Sequence, residues 1–134
     1  MHAKASVSIA VPAAVITGWI SNDVVGALLV SVGCVMGIVL SPDLDIDGKT
    51  YSETVLPEPF ETVWYLYWYV YARLIAHRSW VSHAPVVSTL IRCVYAMWWV
   101  PLVWHIDVAW WGYAFWVFVG LCVSDTMHWI MDML

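Results

Sequence analysis

Residues 24–40, VVGALLVSVGCVMGIVL, hold no charge and sit inside a charge-free interval of nineteen residues between Asp23 and Asp43. An apolar membrane core of ~30 Å asks for about 20 such residues in a helix. Gly26, Ser31, Gly33 and Gly37 stud the run with small side chains, which let helix backbones approach closely where the surroundings are as apolar as the helices. The stretch therefore predicts a central helix of a bundle built for an apolar medium. It should start near Asp23, where Ser21 and Asn22 supply turn and capping chemistry, and run to Leu40.

The flanking sequence repeats the pattern. Between Lys4 and Asp23 eighteen residues carry no charge, which predicts a first helix over 5–20, bent or loosened at Pro12. A third apolar run, 84–104, is interrupted only by Arg92 and should enter its helix at Pro85. A fourth begins at Val108, after the short turn His105–Ile106–Asp107, and can continue to the C-terminus. The 134 residues are 63% hydrophobic and 11% charged, with eleven tryptophans. A soluble domain carries about 25% charged residues. The expected fold is all-α: a small integral membrane helical bundle, one domain over 1–134, with about four transmembrane helices. Four spans enclose little interior, so a homo-oligomer is plausible on size alone. Lys4 ahead of an apolar run could open a secretory leader, but no good small-residue cleavage site follows and the run leads into a second span. Cys34, Cys93 and Cys122 lie singly in different runs, which predicts packed, inert thiols. The net charge of -5 argues against a nucleic-acid partner.

The long polar segment SPDLDIDGKTYSETVLPEPFE, 41–61, separates the second run from FETVWYLYWYVYARLIA, 60–76. Tyrosine and tryptophan favour the water–lipid boundary, so this aromatic helix is expected to lie in the interface rather than to span. Lys4, Lys49, Arg73 and Arg78 then share one side, which the positive-inside rule makes cytoplasmic, together with both termini. That topology gathers His2, the Asp43 loop, His77, His83 and the end of the last helix on one face, and leaves His105 and Asp107 on the other.

Chemistry can be placed on that face. At about 100° per residue, Asp125, His128 and Asp132 fall within roughly 60° of one another on the closing helix. A histidine and a carboxylate four apart can ligate one cation, while a wet helix end would hold the same residues at no cost. Asp125 could be a ligand, a partner of a histidine, or the cap of a turn. Asp43 and Asp45 would point the same way from an extended loop; the alternative is a polar turn with an Asx cap. Asp47 is expected to be solvated. His77 and His83 can share a site only if the chain turns between them, and a lone interfacial histidine is commonly just hydrogen-bonded. Arg78 beside them suits a phosphate or carboxylate. His2, next to the terminus, is weak by itself. Arg92, deep in a span, needs a partner in the bundle interior: a site carboxylate or an anionic substrate. No nucleophile triad and no phosphate loop is present, so the natural reactant is a water activated by a divalent ion.

SPDLDID, the aromatic stretch, HRSWVSH followed by a proline, and the terminal H-x-x-x-D together resemble the uncharacterised prokaryotic membrane metal-binding proteins, relatives of the LexA-regulated, membrane-bound metal-dependent hydrolases. More distantly, the ligand order is similar to that of zinc-dependent phospholipase C. The resemblance implies that His2, Asp43 or Asp45, His77, His83, His128 and Asp132 are ligand positions, with Asp125 an additional candidate. It also implies zinc as the metal, manganese being the alternative, and the cytoplasmic membrane of a prokaryote as the location. This chain is shorter than the phospholipases and lacks a second H-x-x-x-D helix, which points to one or two ions rather than three.

The leading expectation is a membrane-embedded hydrolase of a phosphoester in a lipid or lipid-linked substrate. Asp43, Asp45, His77, His83, His128 and Asp132 would hold the metal, Arg78 would stabilise phosphate charge, and Asp125 would assist at the reacting centre. The alternative is a non-catalytic membrane protein whose metal pins loop and terminal helix together. A transporter is disfavoured, because the ionisable groups gather at one end instead of lining a path through the bilayer.

Overall fold

The computed structural model describes residues 2–45, 56–75, 79, 81, 84–103 and 107–134, with backbone alone at 2, 3, 5, 45, 103 and 109. Among these residues no strand forms. Five helices follow one another: α1 His2–Ser21, α2 Val24–Met36, α3 Phe60–Leu74, α4 Pro85–Met97 and α5 Val108–Met133. A 3-10 turn, Pro42–Asp45, lies between α2 and α3, and a single helical turn, Val100–Val103, extends α4.

Local chemistry sets the ends. Asn22 takes a left-handed φ of 51° between α1 and α2, a conformation its short polar side chain tolerates. Asp23 then caps α2, its carboxylate accepting from the Gly26 N–H at 3.0 Å. α1 runs unbroken through Pro12. α2 stops at Met36, four residues before the expected Leu40. The N–H groups of Ile38 and Val39 reach back only three residues, to the Val35 and Met36 carbonyls, a tightened exit ahead of Pro42. α4 breaks after Met97 because Pro101 has no N–H to offer the Met97 carbonyl, and the chain turns at Trp98 and Trp99 before Val100–Val103.

α1, α2 and α5 form the body of the bundle. Ala10 and Ala13 of α1 meet Val30 and Cys34 of α2, with Trp116, Val119 and Val123 of α5 packed against them. Backbones touch where α2 crosses α5: a Cβ on Gly33 would overlap the Val117 carbonyl oxygen, and one on Gly120 would overlap the Val30 carbonyl oxygen. The small-residue run quoted at the outset is therefore the seam of the bundle. Ser31 Oγ adds a hydrogen bond to the Ala10 carbonyl, 3.1 Å.

A second cluster joins Leu44 of the 3-10 turn to Trp68 and Tyr71 of α3, with Ile91, Tyr95 and Ala96 of α4 alongside. α3 thus turns its aromatic side inward and leaves an aliphatic stripe, Val63, Leu66, Val70 and Leu74, on the surface. Tyr67 donates to the Tyr95 carbonyl at 2.5 Å and Tyr95 donates to the Tyr67 carbonyl at 2.7 Å, a reciprocal tie between α3 and α4.

Four spans are expected; among the described residues, two stretches are long and apolar enough to cross a membrane by length and composition. These are Pro85–Leu102 and Trp110–Met133, each of mean hydropathy 1.3. The apolar stretches Ser6–Ser21 and Val24–Met36 are shorter. Large apolar side chains cover the outside of the bundle, Trp19 at 85% exposure and Val108 at 81% among them.

Candidate metal centre

Three of the expected ligands meet. α5 carries His128 and Asp132 one turn apart, and the 3-10 turn brings Asp43 to them. The Ser41 hydroxyl accepts from the Asp43 N–H at 3.1 Å, which fixes the start of that turn. Leu44, pressed among Trp68 and Tyr71, anchors it to α3. His128 Nε2 lies 3.3 Å from Asp132 Oδ2 and 3.5 Å from Asp43 Oδ1. The imidazole is buried, whereas the two carboxylates are about a third exposed. The segment is a 3-10 turn and not the extended loop expected, so the argument from strand alternation for Asp43 and Asp45 does not apply.

One imidazole and two carboxylates are donors suited to zinc or manganese. A zinc ion with ligands at about 2.1 Å holds tetrahedral neighbours roughly 3.4 Å apart. The 3.3 and 3.5 Å separations around Nε2 are of that size and are equally those of a histidine–carboxylate ion pair. Among the described residues no group of three or more His, Cys, Asp or Glu side chains is arranged to hold a metal ion. A metal centre at this place would need donors beyond these three side chains. His77, Arg78 and His83 lie outside the described residues, as do Asp47 and His105. His2 opens α1 and Asp45 closes the 3-10 turn, and their side chains lie outside the description.

Asp125 goes a different way. Its Oδ2 pairs with Arg92 Nη2 of α4, the two side chains being 1% and 2% exposed. The Thr89 hydroxyl sits against the same oxygen and against the Pro85 carbonyl. Arg92 Nε and Nη1, Asp125 Oδ1 and the Ser88 hydroxyl are buried with no hydrogen-bond partner among the described residues. Next to Asp125, Ser124 Oγ lies 2.8 Å from Ser6 Oγ of α1. Arg92 thus has the interior carboxylate partner that its position demanded. Sequence reasoning missed Thr89, Ser6 and Ser124. Their signal was weak: a hydroxyl three residues before a buried arginine, and serines within apolar runs.

No curated protein and no solved structure matches the chain. A family model described as "Uncharacterized metal-binding protein (DUF2227)" matches residues 1–114, a segment that holds His2, Asp43, Asp45, His77, Arg78 and His83 and stops before Asp125, His128 and Asp132. With most of its length matched, the chain belongs to this family of metal-binding proteins.

Proposed function

We propose that this chain is a membrane-embedded, metal-dependent hydrolase acting on a phosphoester in a lipid or lipid-linked substrate, with its centre at the cytoplasmic end of a four-span bundle. The observation that carries the reading is the convergence of Asp43 and Asp132 on His128. The apolar exterior and the two span-length stretches support a bilayer as solvent. Asp43, His128 and Asp132 would hold the ion together with donors drawn from His2, Asp45, His77 and His83. A divalent ion in such a site supplies a water nucleophile at neutral pH. The protein's own part is to exclude bulk water around His128, to fix the ring through its two carboxylate neighbours, and to meet phosphate charge with the Arg78 guanidinium.

A second reading, a structural metal without catalysis, is favoured by the burial of His128, 5% exposed, since an imidazole packed inside the bundle suits a group that pins elements together. The two separate experimentally. Purified from membranes in detergent and cleared of adventitious ions, the chain should retain zinc or manganese stoichiometrically and release phosphate or headgroup from phospholipid or polyprenyl phosphoester substrates, and His128→Ala should abolish both. Stoichiometric metal with no turnover on any phosphoester leaves the structural reading. Absence of metal in the wild type, with His128→Ala unchanged, sinks both.

A further inference from the structure

We infer that Asp125 is a positioning residue rather than a ligand: through Arg92 and Thr89 it locks α4 to α5 one turn inside the centre and so sets the register of the helix ends that carry the ligands. This deepens the metal-binding reading above and rests on it.

Four helices meet at the level of Ser124 and Asp125. α4 arrives through Arg92 and Thr89, both on Asp125 Oδ2. α1 arrives through Ser6, 2.8 Å from Ser124 Oγ. α2 arrives through Gly37, where an added Cβ would overlap Ser124 Oγ. Each of these contact residues has a candidate ligand within six residues of it in the sequence. Ser6 follows His2 by one turn, Gly37 precedes Asp43, Thr89 follows His83, and Asp125 precedes His128. Thr89 also touches the Pro85 carbonyl, so the lock holds the first turn of α4, directly after the HRSWVSH segment.

The physical need is for register. Apolar helices in apolar surroundings slide past one another with little penalty, and polar contacts across the interface are what select one alignment. A slip of one residue moves a helix end by about 1.5 Å. A metal site tolerates displacements of ~0.2 Å in its ligand distances. A buried ion pair that must stay matched is therefore a suitable register pin, the best-attested use of such groups. Asp125 Oδ2 is already shared by a guanidinium and a hydroxyl, which ties the side chain to α4 and leaves only Oδ1 without a partner among the described residues.

The experiment is a cobalt(II) titration of the full chain in detergent, read by visible d–d absorption, with melting followed by circular dichroism. Thr89→Val keeps shape and the ion pair but removes the hydroxyl, whereas Thr89→Ser restores it. Thr89→Val should bind cobalt about 10-fold more weakly, with altered band intensities and an ordinary helical melt, and Thr89→Ser should return to wild type. Asp125→Asn should keep the wild-type ion-to-chain ratio at lower affinity; if it does not fold, the Thr89 pair carries the test. Wild-type affinity and spectrum in Thr89→Val, or a lower ion-to-chain ratio in folded Asp125→Asn, would overturn the inference. A wild-type chain that binds neither cobalt nor zinc instead fails the metal-binding reading itself.

Discussion

Gly33 of α2 and Gly120 of α5 stand backbone to backbone, so close that a Cβ on Gly33 would sit 3.0 Å from Gly120 Cα and one on Gly120 would sit 2.9 Å from Gly33 Cα. Neither side can yield, because the nearest atoms are carbonyls and backbone carbons rather than flexible side chains. Gly33→Ala or Gly120→Ala should therefore force the helices apart at a cost of about 1–3 kcal/mol. Gly112, with nothing within 4 Å, is the matched control, and Gly112→Ala should be neutral or stabilise by up to ~1 kcal/mol through helix propensity. Unfolding of the detergent-solubilised chain in SDS would rank the three; a Gly33→Ala no worse than Gly112→Ala would contradict the close crossing.

Arg92 and Asp125 form a buried ion pair between α4 and α5. Removing one leaves the other buried and uncompensated, so Arg92→Met or Asp125→Leu alone should destabilise by about 3–5 kcal/mol. The double replacement removes both charges and should recover most of that loss, as buried pairs exchanged for apolar residues commonly do. A double-mutant cycle measured by the same unfolding assay checks this. Additive single-site losses would show that the pair is not coupled.

How far these features were legible in the sequence depended on range. Helical periodicity groups Asp125, His128 and Asp132 on one face of α5; His128 and Asp132 lie 3.3 Å apart with Asp43 beside them, while Asp125 turns to Arg92. Arg92 announced that it needed a partner but not which one. Pairing across helices depends on how α4 crosses α5, and no local spacing encodes that angle. The same limit hid Thr89. Asp-x-Asp after Pro42 is compatible with an extended loop and with a 3-10 turn, and the burial of Leu44 against Trp68 and Tyr71, contacts remote in sequence, goes with the second. Aromatic content suggested an interfacial α3; its inward-facing aromatics reflect partners on α4 that composition alone does not reveal.

Leu28, in the middle of α2, is 62% exposed and should face lipid if the bundle is embedded. A lysine there costs ~2.5–3.5 kcal/mol at the centre of a membrane-inserted helix. On a water-facing surface the same change costs within about 0.5 kcal/mol and aids solubility. Leu28→Lys should accordingly lower the yield of chain in carbonate-washed membranes several-fold. An undiminished membrane yield, or a rise in the soluble fraction with the fold intact, would count against embedding.

The reciprocal tyrosines should differ in weight. α4 ends at Met97, so the Tyr95 carbonyl falls in its last turn, where no helical N–H follows in register to bond it. The Tyr67 hydroxyl supplies the missing donor at 2.5 Å. The Tyr67 carbonyl lies inside α3, where the helix itself offers a donor, so the Tyr95 hydroxyl adds only a second bond to it. Tyr67→Phe leaves a helix-end carbonyl unmet and should cost about 1–3 kcal/mol, against ~1 kcal/mol for Tyr95→Phe. Because Leu44 shares this cluster with Trp68, Tyr71 and Tyr95, loosening α3 from α4 also loosens the turn that presents Asp43. Tyr67→Phe should therefore speed proteolysis between α2 and α3 more than Tyr95→Phe does, and weaken metal retention in parallel. Equal protease resistance in the two variants would place the anchorage of that turn in the aromatic packing alone.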